Sequence, residues 1–300
     1  MTFLRRLLSF SITQLVIEVL FIYIIAGLII FLVPTLHLPR STFGAIVEGL
    51  LVLGTVITFL FARVWIERRP LADLGLSRRH LVRDLLLGFL LGLLLQSAII
   101  GILALAGWYH VTSIASGSVA IVLILQGLGF FLLVGLFEEG VFRGIIFRLL
   151  ERSLGSWIAI IISALFFGLT HLFNPGATLL GALAIALEGG ILLGAAYMLT
   201  RSLWLAIGIH WAWNFFEGPF FGATISGTNS AKAFITSTIS GPQIWTGGNF
   251  GPEAGLVALL VGLVAATILL TLAVQRRQVI APSWVRRATL SSDAQAQPAP

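Results

Sequence analysis

Two adjacent acids, Glu138 and Glu139, stand in the otherwise apolar run Leu136-Phe137-Glu138-Glu139-Gly140-Val141-Phe142-Arg143. A carboxylate at bilayer depth costs about 2.5–3.5 kcal/mol on insertion scales, so a pair of them followed by an arginine calls for a use. Two later apolar segments carry polar groups one helical turn apart: Phe167 with His171, and His210 with Asn214. A carboxylate can take a proton from water, and imidazole and amide groups can donate to the oxyanion of a peptide carbonyl. Hydrolysis of a peptide bond inside the membrane is the chemistry these residue types fit.

Helical geometry sharpens the roles. Glu139 and Arg143 are four residues apart and share a face, as an intrahelical ion pair requires. Glu138 points about 100° away and is free to face another helix. The arginine also opposes the upward pKa shift that desolvation imposes on a carboxylate. If the three faces meet, a water is polarised between Glu138 and His171, while His210 and Asn214 stabilise the oxyanion. Glu138, His171 and His210 could also form a two-His, one-carboxylate zinc site. The metal-free version, with no cofactor, is preferred because the nearby Arg143 repels a cation.

Other chemistries lack their residues. With no cysteine there is no thiol nucleophile, disulfide framework or Cys-ligated zinc. No His-Glu-x-x-His and no Gly-x-Ser-Gly occurs, and the aspartates, Asp73, Asp84 and Asp293, fall outside the interiors of the expected helices.

The elements that must hold these residues are membrane helices. The chain is 58% hydrophobic and 10% charged, against the roughly 25% charged residues of a soluble domain, and its mean hydropathy is +1.04. Spans of about 20 apolar residues are expected at 11–33, 43–64, 84–108, 118–147, 155–173, 178–199, 202–217 and 254–274. The fold class is therefore all-α: a polytopic membrane protein of about eight helices. Residues 1–274 form one transmembrane domain with the motifs in 118–217, and 275–300 form a basic, disordered cytoplasmic tail that includes Ser291, Gln295 and Pro298. The first span is long and lacks a small-residue cleavage site, so it reads as a retained helix rather than a signal peptide.

Basic residues mark cytoplasmic loops. Arg5, Arg6, Arg63, Arg68, Arg69, Arg78, Arg79, Arg83, Arg148, Arg152, Arg201, Arg276, Arg277, Arg286 and Arg287 alternate with loops holding only Arg40 and Lys232, which puts both termini in the cytoplasm. Topology and anionic headgroups account for the net charge of +6, so no nucleic-acid partner is expected. The lone acids Glu18, Glu48, Glu188 and Glu217 read as packing or interface residues. The loop 218–252 is polar, with Phe215, Phe216, Phe220 and Phe221 expected at the interface.

In order, Glu138-Glu139-x-x-x-Arg143, Phe167-x-x-x-His171 and His210-x-x-x-Asn214 resemble the three motifs of the CAAX protease and bacteriocin-processing (CPBP) family of intramembrane proteases. Thr200-Arg201-Ser202-Leu203-Trp204 and Leu71-Ala72-Asp73-Leu74-Gly75-Leu76 are similar to that family too. The resemblance implies an eight-span endopeptidase with Glu138 as activating base, His171, His210 and Asn214 as oxyanion donors, and Glu139 and Arg143 in support. The implied partner is a peptide or protein substrate arriving from the lipid bilayer, and a bacterial plasma membrane is the expected location. Two alternatives stand beside it: a proton-coupled transporter using the same acids and histidines as a relay, and a non-catalytic regulatory or immunity partner.

Overall fold

The computed structural model describes residues 10–228, 232–286 and 288. Arg5, Arg6, Arg287, Asp293 and the tail from Thr289 onward lie outside them. Long apolar runs with few breakers give the helices expected of them: α1 (Ser11–Leu32), α2 (Arg40–Phe61) and α3 (Leu81–Leu105). Then come α4 (Gly117–Leu154), α5 (Ser156–Thr170) and α6 (Leu179–Thr200). A shorter α7 (Leu203–Phe215) and the long α8 (Leu256–Gln275) follow.

Among the described residues, seven helices are long and apolar enough to cross a membrane. The seventh expected span, α7, is not among them: it has only 13 α-helical residues and continues as a wider π turn, Phe216–Phe220, around Pro219. Proline has no N–H to give the ladder, which fits a helix that loosens here. The fourth span also differs from expectation: it does not end at residue 147 but passes through a π stretch, Gly140–Phe147, and runs on to Leu154.

α3 and α7 cross at touching distance. A Cβ on Gly88 would lie 2.3 Å from the Leu205 carbonyl oxygen, and one on Gly208 would lie 2.3 Å from that of Leu85. Small residues at such a crossing let two backbones meet, the usual device of membrane helix packing. The same crossing fixes the depth and rotation of His210. Trp211 then locks α7 against α4 by donating from Nε1 to the Leu128 carbonyl, 2.8 Å.

One end of the bundle is tied by buried ion pairs. Arg148 makes two 2.7 Å bonds to Glu67 and lies 3.7 Å from Glu18, while Arg201 reaches Glu151 at 2.6 Å. Part of the expected tail is held here too. Ser156 and Ile280 exchange hydrogen bonds, Arg201 donates to Gln278, and Arg286 donates to the Arg152 carbonyl. These groups satisfy one another at the turn between α4 and α5.

The opposite end carries a two-stranded antiparallel sheet, β1 (Tyr109–Ile114) with β2 (Ile235–Ile239), that the sequence reading did not anticipate. It joins the α3–α4 connection to the segment between α7 and α8. The phenylalanines assigned to an interface are largely interior: Phe215 and Phe216 are buried and pack with Phe89, Leu93 and Phe131.

Candidate active site

α4 delivers both acids where its regular turns give way to the π stretch. Glu139 is fully buried, and its Oε1 accepts from Arg143 Nη1 at 2.7 Å and from His210 Nδ1 at 2.9 Å. Arg143 also donates to the carbonyls of Gly189 and Gly190, at 3.3 and 3.1 Å, and stands 4.5 Å over the Phe167 ring. The expected ion pair is present, and Glu139 does more than support it by tying α4 to α7 through His210. Glu138 points elsewhere, its side chain 24% exposed, with Oε2 3.8 Å from His210 Nε2 and without a hydrogen-bond partner.

His171 opens the 3-10 turn that ends α5, and its Nδ1–H donates to the Phe167 carbonyl at 2.8 Å. A carbonyl can only accept, so the neutral ring presents Nε2 as an acceptor. His210 is held the same way by the Glu139 carboxylate. Its Nε2 therefore donates only when the ring is an imidazolium, for which Glu139 is the counter-ion. Phe167 wedges the two imidazoles, with ring centroids 5.0 Å from His171 and 5.9 Å from His210. α5 comes close to α6 at Gly190, where a Cβ would lie 2.8 Å from Ala164.

Glu138, Phe167, His171, His210 and Asn214 line one cavity of about 240 Å³. The three sequence motifs thus share one pocket, with Glu139 and Arg143 packed behind it. The same cavity is lined by Glu48, Asn174, Glu188, Ser226 and Glu253. None of these was named for the site from sequence, and Glu48 and Glu188 had been assigned to packing. The signal available for Glu188 was its mid-span charge; Glu253 lies in a connection with no telling spacing. Burial pushes the Glu253 carboxyl above its ordinary range, against the pull of His171 and of the Ser226 hydroxyl that donates to it. Glu217 lies deeper and accepts from Gln96 at 3.2 Å.

A second cavity of about 430 Å³ shares Glu138, His171 and Asn174 with the first and continues between Ile22, Tyr23, Leu51, Phe137, Phe142 and Phe173. Its wall is mostly apolar. Among the described residues, no group of three His, Cys, Asp or Glu is arranged to hold a metal ion.

Apolar helices enclosing a polar cavity lined by a carboxylate and two imidazoles make this a polytopic membrane protein with a polar pocket among its helices. Residues 120–216 match the family model described as type II CAAX prenyl endopeptidase Rce1-like, a stretch that contains all three motifs. The match implies CAAX-type intramembrane protease activity in general terms. No curated protein and no solved structure matches the chain.

Proposed function

We propose that the protein is an intramembrane endopeptidase that uses Glu138 to activate water, without a metal. Glu138 and the acceptor nitrogen of His171 hold a water between them. Glu138 takes a proton from it, and the oxygen attacks the substrate carbonyl. His210, as imidazolium paired with Glu139, and Asn214 donate to the oxyanion. Collapse of the tetrahedral intermediate breaks the C–N bond, and the proton on Glu138 passes to the leaving amine. Glu139, Arg143 and Phe167 are positioning residues.

The observation that carries this reading is the shared cavity: an acid with a free oxygen faces two imidazoles whose other nitrogens are already fixed. The apolar second cavity beside Glu138 supports entry of the substrate from the bilayer. A peptide with an apolar or lipid-modified flank suits it, in keeping with the prenyl endopeptidases named in the family description.

The test is purified protein in detergent with a library of membrane-anchored peptides. Cleavage by wild type and none by Glu138→Ala or His171→Ala is the expected result. Cleavage that survives Glu138→Ala would overturn the proposal, and inhibition by a zinc chelator reversed by zinc would overturn its metal-free form.

A further inference from the structure

We infer that Glu188 and Glu253 form a subsite for a cationic group on the substrate, a primary ammonium or guanidinium carried next to the scissile bond. The inference rests on the endopeptidase reading for its location, and its binding can be read separately.

Carboxylates outnumber cations in the lining of the catalytic cavity, where the His210 imidazolium is already paired with Glu139. The lining includes Glu48, Glu138, Glu188 and Glu253 and neither lysine nor arginine among the described residues. The guanidinium at hand, Arg143, lies outside the lining and is engaged by Glu139 and by the Gly189 and Gly190 carbonyls. Glu138 is assigned to water. Of the other three, Glu48 and Glu188 each have an Oε2 without a hydrogen-bond partner, and Glu188 is the buried one, 2% exposed, whereas Glu48 is half-buried.

The fold keeps this carboxylate in place. Glu188 sits in the π turn Ala186–Gly190 of α6, and α8 makes room for it with Gly262, where a Cβ would lie 2.8 Å from that of Glu188. Glu253 reaches the same cavity from the turn Pro252–Ala254, with the Ser226 hydroxyl donating to Oε1. The two acids line the same cavity. A buried carboxylate without a partner is costly, and a cation arriving with the substrate removes that cost. A carboxylate in the same place on the substrate would be repelled.

The experiment uses the full chain in neutral detergent, with membrane-anchored fluorescent peptides that differ at one position walked along the sequence. That residue is lysine, arginine, neutral citrulline or glutamate. Binding is measured by anisotropy on Glu138→Gln protein, and cleavage on protein with Glu138 intact. At one position the lysine or arginine peptide should bind about tenfold or more tightly than the citrulline peptide, the worth of a charge-assisted hydrogen bond. The glutamate peptide should bind worst. With Glu188→Gln or Glu253→Gln added, the preference should fall toward one.

Equal binding of cationic and neutral peptides at every position would overturn the subsite, and so would a preference that survives both substitutions. The two readings fail separately. Preference without cleavage would sink the endopeptidase and leave the subsite standing, whereas Glu138-dependent cleavage without preference would do the reverse.

Discussion

The buried pair Glu139–Arg143 allows a prediction whose sign is unusual. Both side chains are 0% exposed and 2.7 Å apart. Arg143→Met leaves the Glu139 charge with His210 alone. Glu139→Gln leaves the guanidinium with the Gly189 and Gly190 carbonyls and the Phe167 face. Removing one partner of a buried pair costs about 3–5 kcal/mol, since the other charge stays uncompensated, while replacing both by neutral groups of similar volume is nearly neutral. Each single variant should therefore lose about 3–5 kcal/mol, and the double variant should be more stable than either, a coupling of about 3 kcal/mol or more. Reversible unfolding in mixed micelles, titrated with denaturing detergent, measures all four corners of the cycle. Single losses below about 1 kcal/mol, or a double variant that shows the sum of both, would refute the reasoning. Peptide cleavage should not return in the double variant, because His210 has lost its carboxylate.

Glu138→Gln should lower cleavage by about 10²–10⁴-fold or more, the usual worth of a general base, while the unfolding midpoint stays close to wild type because this side chain faces the cavity with a free oxygen; a large stability loss would argue for a structural role. Gly208→Val should separate α3 from α7 and cost about 1–3 kcal/mol as overpacking does, read by unfolding, with cleavage lost as His210 moves. Burial pushes the Glu67 carboxyl up, but the hydrogen bonds and charge of Arg148, with the charge of Arg152, outweigh it and hold it below its ordinary value. Its contribution is then complete above an unfolded value of about 4.3 and is lost as pH falls through the lower folded one. Unfolding midpoints from pH 7 to pH 3 should fall more steeply for wild type than for Glu67→Gln, and parallel curves would contradict this.

The helices were legible because twenty-residue apolar runs have little alternative in lipid, and the motif pairs because a four-residue spacing shares a face on any helix. Counted along the helices, Glu138 lies roughly 15 Å from Arg148 and His210 roughly 12 Å beyond Ser202, whereas His171 lies roughly 24 Å beyond Gly155. For Glu138 and His171 the marker accounts for the difference, since α4 continues past Arg148 to Leu154. Counted from the Gly155 turn, Glu138 and His171 both lie roughly 24–26 Å in.

What stayed hidden depends on contacts between distant segments. β1 and β2 are separated by four helices and have no hairpin turn between them, so nothing local announces their pairing. Glu253 enters the cavity from a 3-10 turn whose neighbours show no periodicity. The bond from Glu139 to His210 was missed for a related reason: spacing showed which residues share a face on α4, but not which face of α7 would meet it.

Single-turnover cleavage of a membrane-anchored peptide in H₂¹⁸O, by wild type and by Glu138→Gln, tests the central claim most directly. The account predicts that wild type places one ¹⁸O in the new C-terminal carboxylate and that Glu138→Gln yields almost no product. Labelled product formed by Glu138→Gln at the wild-type rate would contradict it.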